Sequence, residues 1–179
     1  MGLRLAELSH GEDRRRVTPD RPAKSISSET TFEEDVADVQ LLMQTLWRLC
    51  EKVSARLKAA GLSGRSVTLK LKTPDFRTIT RSHRLDNPTR LAHRLFEEGC
   101  RMLLAEADGR RAFRLLGIGA TDLVTGDRAD LPDLLDQRPV KLGAAEAAID
   151  RLRERFGSDL VQRGIAFVPR PRKRETQGE

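Results

Sequence analysis

The chain is poor in rings and thiols. Its 179 residues include no tyrosine, one tryptophan (Trp47) and six phenylalanines, so aromatics make up only 4%. A module that reads nucleic acid by stacking bases on aromatic side chains is poorly supplied by that composition. The two cysteines, Cys50 and Cys100, stand far apart, and His10, His83 and His93 have no metal-ligand spacing. That pattern excludes a zinc site of the usual kind and leaves two free thiols buried in helices. No run approaches the roughly 18 apolar residues needed to span a membrane. The charged N-terminus is followed by no apolar segment of a signal peptide. A cytoplasmic monomer with no membrane partner is expected. A phosphate-cradling glycine loop is missing too, because Gly117-Ile118-Gly119 falls within a strand pattern and no helix start follows it.

What the chain does have is charge. Charged residues make up 34% and apolar ones 38%, with a net charge of +6 and a pI near 9.9. One domain of ordinary size plus tails is possible at this length. The basic balance favours a polyanionic partner, nucleic acid before anionic membrane. Much of the excess lies in one place. Positions 65–84 hold Arg65, Lys70, Lys72, Arg77, Arg81 and Arg84 against a single acid, Asp75, a net of +5.

Periodicity divides the chain into elements. A helical turn over about 2–8 is followed by a charged, proline-bearing linker reaching Pro22. Residues 24–32 alternate, with Ile26, Ser28, Thr30 and Phe32 on one face of a strand and Ser25, Ser27 and Glu29 on the other. A helix over about 36–60 is capped by Asp35 or Asp38 and stopped by Gly61. Val39, Leu42, Met43, Leu46, Cys50, Val53 and Leu57 form its apolar stripe, with Trp47 packing beside them. A strand over 65–72 alternates Val67, Leu69 and Leu71 with Thr68, Lys70 and Lys72, and a turn at Thr73-Pro74-Asp75 leads to a strand over about 76–85. Asn87-Pro88 predicts the start of a second helix, ended by Asp108-Gly109. A fourth strand occupies about 112–123. The order β-α-β-β-α-β is that of a ferredoxin-like α+β fold, with a four-stranded antiparallel sheet and two helices on one face. Beyond it, a C-terminal extension is expected to hold an acidic leucine-rich stretch, an amphipathic helix over about 143–156 (Ala144, Ala148, Ile149, Leu152, Phe156), a brief strand near 163–168 and a disordered basic tail at 170–174.

Several of these segments carry a family resemblance. Lys24-Ser25-Ile26, Glu29-Thr30-Thr31-Phe32 with the acidic Glu33-Glu34-Asp35, Leu69-Lys70-Leu71-Lys72, Phe76-Arg77, Thr80-Arg81-Ser82 and Arg114-Leu115-Leu116-Gly117-Ile118 occur in order over about residues 2–124. The set resembles the little-finger domain of bacterial DNA polymerase IV, a Y-family translesion polymerase. The resemblance implies that residues 1–23 are the end of a thumb and its linker, 24–126 the little finger, and 127–179 a C-terminal extension. Met1 then falls inside a longer protein. It also implies that the metal-binding carboxylates lie upstream, so magnesium belongs to the parent enzyme and no cofactor to this stretch.

The open sheet face is expected to present Ser25, Ser27, Lys70, Lys72, Arg77, Arg81 and Arg114. Hydroxyls and cations of this kind suit the phosphate backbone of duplex primer-template DNA, fixing position without reading sequence. Glu29 is the misfit on such a face, and Arg81 is its expected partner. An RNA-binding domain of similar topology and a protein-interaction module are the alternatives. Leu131, Leu134 and Leu135, in Asp130-Leu131-Pro132-Asp133-Leu134-Leu135, resemble a sliding-clamp docking peptide that lacks its glutamine. The plainer reading, and the favoured one, is that Leu134 and Leu135 pack the C-terminal helix onto the domain. With no two-metal carboxylate pair to align an attacking hydroxyl, the purified chain is expected to incorporate no nucleotide on a primed template with magnesium. A primer-extension assay checks this, and template-directed extension would refute it.

Overall fold

The computed structural model describes residues 2–13, 22–130, 138–157, 161 and 164–166. A short helix, α1 (Gly2–Ser9), precedes β1 (Ser25–Val36), α2 (Val39–Ala59), β2 (Leu62–Lys72), β3 (Thr78–Thr89), α3 (Ala92–Glu106), β4 (Phe113–Thr125) and α4 (Arg138–Phe156). The order β1-α2-β2-β3-α3-β4 is the expected one. The four strands form one sheet in the order β1-β4-β2-β3, with every neighbouring pair antiparallel. β1 and β2 are therefore parallel to each other with β4 inserted between them, a split βαβ unit. The last strand in sequence completes the middle of the sheet.

One face of that sheet is the core. Val67, Leu69 and Leu71 of β2 and Leu116, Ile118 and Ala120 of β4 point toward α2 and α3, meeting Leu42, Leu46, Val53 and Leu57 of the first helix and Leu95, Met102 and Leu103 of the second. Each fully buried leucine or phenylalanine contributes roughly 1.5–3 kcal/mol by leaving water. Gly99 of α3 lets the helices and sheet close together, since a Cβ there would meet Ile118 at 3.0 Å and Leu46 at 3.3 Å. Cys50 is buried in this core, and burial pushes its thiol well above the usual range; Cys100 is half-buried, with Sγ 3.7 Å from the Met43 sulfur.

The local starts and stops follow ordinary chemistry. Asp38 caps α2, its carboxylate accepting the N–H of Gln40 at 2.8 Å and of Leu41 at 3.3 Å. Gly61 ends that helix with φ +63°, a left-handed conformation natural to glycine. Asn87-Pro88 does not start the second helix. β3 runs on through Thr89, which pairs with Gly64 after a register shift, and α3 begins only at Ala92. Leu91, at its N-cap position, has no capping side chain.

The missing cap comes from elsewhere. Glu146 of α4, buried to 6% exposure, accepts the N–H of Ala92 at 3.1 Å and of His93 at 3.0 Å. Its charge is met by Lys58 of α2 at 3.0 Å, which also binds Asp150 at 2.7 Å, and Arg153 binds Glu51 at 2.7 Å. The expected apolar stripe of this helix is only partly buried, with Leu152 and Phe156 exposed. Its docking is polar, because the residues it faces are the first turn of α3 and the charged flank of α2. The helix also starts earlier than expected, at Arg138. Residues 164–166 make a 3-10 turn where a strand was expected.

Replacing Glu146 with alanine removes two charge-assisted bonds to a helix start and leaves Lys58 one partner fewer. Such bonds contribute about 1.5–3 kcal/mol each to groups out of water, so Glu146→Ala is expected to lower stability by about 3 kcal/mol or more. Urea unfolding followed by circular dichroism checks this, and an unchanged midpoint would show that α4 does not cap α3.

Candidate nucleic-acid interface

The face of the sheet away from the helices is built by the other half of each strand's alternation. From β1 it takes Ser25, Ser27 and Glu29, from β4 Gly117, Gly119 and Thr121, from β2 Thr68 and Lys70, and from β3 Thr80. Together these line a shallow open trough of about 260 Å³. The ladder extends the same rows, setting Lys72 opposite Thr78, Thr68 opposite Ser82 and Ser66 opposite Arg84. The surface is chiefly hydroxyls on a flat sheet, with few large side chains.

Its floor is flat because β4 has glycine at two successive outward positions. A Cβ on Gly117 would lie 2.9 Å from Glu29 Cβ, and one on Gly119 would lie 2.8 Å from Ser27 Cβ. The side chains of β1 thus lean over β4. Glu29 uses the space to reach across the central strand to Lys70, Oε2 to Nζ 2.8 Å. Both groups remain well exposed, so the pair is held weakly against water.

This placement corrects the expected pairing of Glu29 with Arg81. Arg81 stands opposite Leu69, and directly opposed residues share a face. Its side chain therefore lies on the helix side, where it binds Glu106 of α3 at 2.6 Å. His83, two residues on, does likewise with Glu98 at 3.0 Å. Arg81 is consequently not part of the open face. Arg77 is also off it, in the turn between β2 and β3, paired with Asp75 at 2.9 Å. The Thr73 hydroxyl, and then Arg77, hold the exposed Asp75 carboxyl below its usual range. Arg114 sits at the start of β4 with its guanidinium 4.2 Å from the centre of the Phe76 ring. Phe76 itself belongs to the turn and not to β3, and is 65% exposed with φ +64°.

Of the seven residues expected to share the face, Ser25, Ser27, Lys70 and Lys72 do, while Arg77 lies in the turn, Arg114 has the strand parity of Leu116 and Ile118 and meets the turn at Phe76, and Arg81 lies behind the face. The threonines Thr68, Thr80 and Thr121 and the two glycines were missed. Strand alternation carries the signal for all five, since each falls on the parity opposite the apolar residues. Leu131, Leu134 and Leu135 lie outside the described residues. No cluster of three His, Cys, Asp or Glu able to hold a metal ion occurs among the described residues. None of the described helices is long and apolar enough to cross a membrane.

The fold is that of a Y-family DNA polymerase domain. A Y-family polymerase chimera built on Dbh shares it at a TM-score of 0.50 and 18% identity, over 69% of this chain and 35% of that one. The insertion ternary complex of Dbh DNA polymerase does so at 0.50 and 15%, with the same coverage. The chain belongs to the impB/mucB/samB family, whose C-terminal domain matches residues 23–132. It is 54% identical over 167 residues to DNA polymerase IV 1 of Mesorhizobium japonicum and 52% identical over 167 residues to DNA polymerase IV of Brucella melitensis. The matches take in 93% of this chain but only 38% and 37% of those polymerases. The little-finger resemblance of the sequence is thereby shown.

The glycine floor is open to direct test. Gly117→Ala forces a Cβ against Glu29, and overpacking of this kind costs about 1–3 kcal/mol. The melting temperature is expected to fall, with faster amide exchange in β1 than in β2. A variant as stable as the parent would mean that β1 does not lie so close over β4.

Proposed function

We propose that the open sheet face holds duplex DNA by its phosphate backbone, as the non-catalytic grip of a template-directed translesion polymerase. The observation that carries this reading is the trough itself. Ser25, Ser27, Thr68, Thr80 and Thr121 surround Gly117 and Gly119, with Lys70 at the edge of the floor and Lys72 next in its row. Hydroxyls donate to phosphate oxygens and lysines neutralise them, and neither distinguishes one base from another. The flat glycine floor lets a backbone approach closely. Membership of a family whose relatives are named DNA polymerase IV supports the choice of DNA. Base stacking on the sheet is not supported, since Phe113 is buried and Phe32 packs against the core.

The Glu29–Lys70 pair gives the grip a built-in competitor. A phosphate that takes Lys70 must displace the Glu29 carboxylate, so each contact is traded for an existing one and the hold stays light. Lys72 has no carboxylate partner among the described residues and is open to phosphate at once.

Duplex binding is expected in the range of about 10⁻⁴–10⁻⁶ M at physiological salt. If Lys70, Lys72 and Arg84 neutralise roughly three phosphates, log K should fall against log salt with a slope near about −2.7. Fluorescence anisotropy over a salt series checks both. Lys70→Ala with Lys72→Ala should flatten the slope, Glu29→Gln should tighten binding by freeing Lys70, and Arg81→Ala should leave it unchanged. Binding that ignores salt, or that survives the double lysine substitution intact, overturns the reading. Preference for single-stranded RNA over duplex DNA would favour an RNA-binding module instead.

A further inference from the structure

Phe76 is used neither by the core nor by its turn. The residue is 65% exposed, the most exposed of the large apolar residues among those described. Its φ of +64° is a conformation in which glycine is at ease and a bulky residue is an outlier. The conformation is nonetheless pinned. The Phe76 N–H donates to the Thr73 carbonyl at 2.9 Å and the Thr73 N–H to the Arg77 carbonyl at 3.0 Å, closing the turn around it. The Thr73 hydroxyl binds the Asp75 carboxylate, which in turn binds Arg77. Arg114 backs the ring at 4.2 Å. A turn held this firmly, with an aromatic ring where glycine would be less strained, points to a ring kept for contact.

The surroundings define the contact. Lys72 ends β2 just before the turn, Arg77 follows the ring, and Leu115, the partner of Lys72 in the ladder, is the residue after Arg114. Every other exposed large apolar side chain among the described residues lies on α1, α2, α3, α4 or the 3-10 turn at 164–166. A lone flat apolar ring among cations is poorly made for an apolar protein partner. It matches a flat uncharged ring attached to phosphates, which is a nucleobase.

We propose that Phe76, backed by Arg114, is a stacking site for an unpaired nucleobase at the end of the duplex held on the open sheet face. The inference rests on the duplex-holding reading. The sheet takes the paired backbone, and the turn end takes a base with no partner to stack on.

The test compares three fluorescein-labelled DNAs by anisotropy with the full chain: a blunt duplex, the same duplex with a single-stranded 5′ overhang, and the overhang strand alone. The parent chain should prefer the overhang duplex over the blunt one by about five- to a hundredfold, the range of one base–aromatic stack. Phe76→Gly should abolish that preference, leave blunt-duplex affinity unchanged, and keep or raise the melting temperature, because glycine relieves the turn. Phe76→Trp should restore the preference. A 2-aminopurine placed at the first unpaired position should be quenched by the parent and not by Phe76→Gly. If Phe76→Gly leaves every affinity unchanged, or weakens blunt and overhang duplexes alike, the stacking site is overturned. If the parent binds overhang duplex and free strand but not blunt duplex, the sheet-face reading falls while the stacking contact stands as a single-strand site. If the parent binds none of the three, both fall.

Discussion

The position of β4 between β1 and β2 is the constraint on which the rest of the structure depends. As the inner strand it must present apolar residues to the helices and something nearly flush to the other side. Leu116, Ile118 and Ala120 meet the first need and Gly117 and Gly119 the second. Without side chains on those outward positions, β1 can lean over β4 and Glu29 can reach Lys70 on the far strand. The same placement makes the fold non-local, because the first strand has no partner until the fourth is made. Such long-range pairing slows folding relative to locally paired topologies.

Charge in this molecule is distributed differently from its sequence density. The strongly basic hairpin divides its cations between two faces and a turn. Arg81 goes behind the sheet to Glu106, Arg77 is taken by Asp75 and Lys70 by Glu29, while Arg84 lies 3.7 Å from Asp122. What faces outward is mainly hydroxyl, with a few cations that are free or lightly held. A surface of that kind fits the light, reversible hold on phosphates proposed above.

The helical side solves a different problem. α3 begins without a cap of its own, directly after a strand that runs on longer than its proline suggests. Thr89, Asp130 and Glu146 converge on its first N–H groups: Thr89 accepts from Leu91, Asp130 from Arg90, and Glu146 from Ala92 and His93. Burial pushes the Asp130 carboxyl above its usual range while the Thr89 hydroxyl and the Arg90 N–H act against that shift. A helix end that would otherwise carry orphaned donors is completed by Thr89 of β3 and by two carboxylates from beyond β4.

The order of elements, the two apolar stripes and the alternation of Ile26, Val67, Leu69 and Leu71 were legible in the sequence because period and burial are local properties of a chain. So were Asp38 as a cap, Gly61 as a stop, and the family, whose motifs are contiguous residues. The partners of charged side chains were not. Arg81 and Lys70 sit on alternate parities of paired strands, and only the register sets one before Glu106 and the other before Glu29. The end of β3 escaped for the same reason, since Thr89 joins the sheet through a register shift that no local signal announces. Phe76 was read as a strand residue because its neighbours alternate, yet a closed five-residue turn holds it outside the sheet. The sequence alone determined which residues could form strands, helices and a basic surface. Tertiary structure decided which face each charge took, because facing depends on register between segments far apart in the chain.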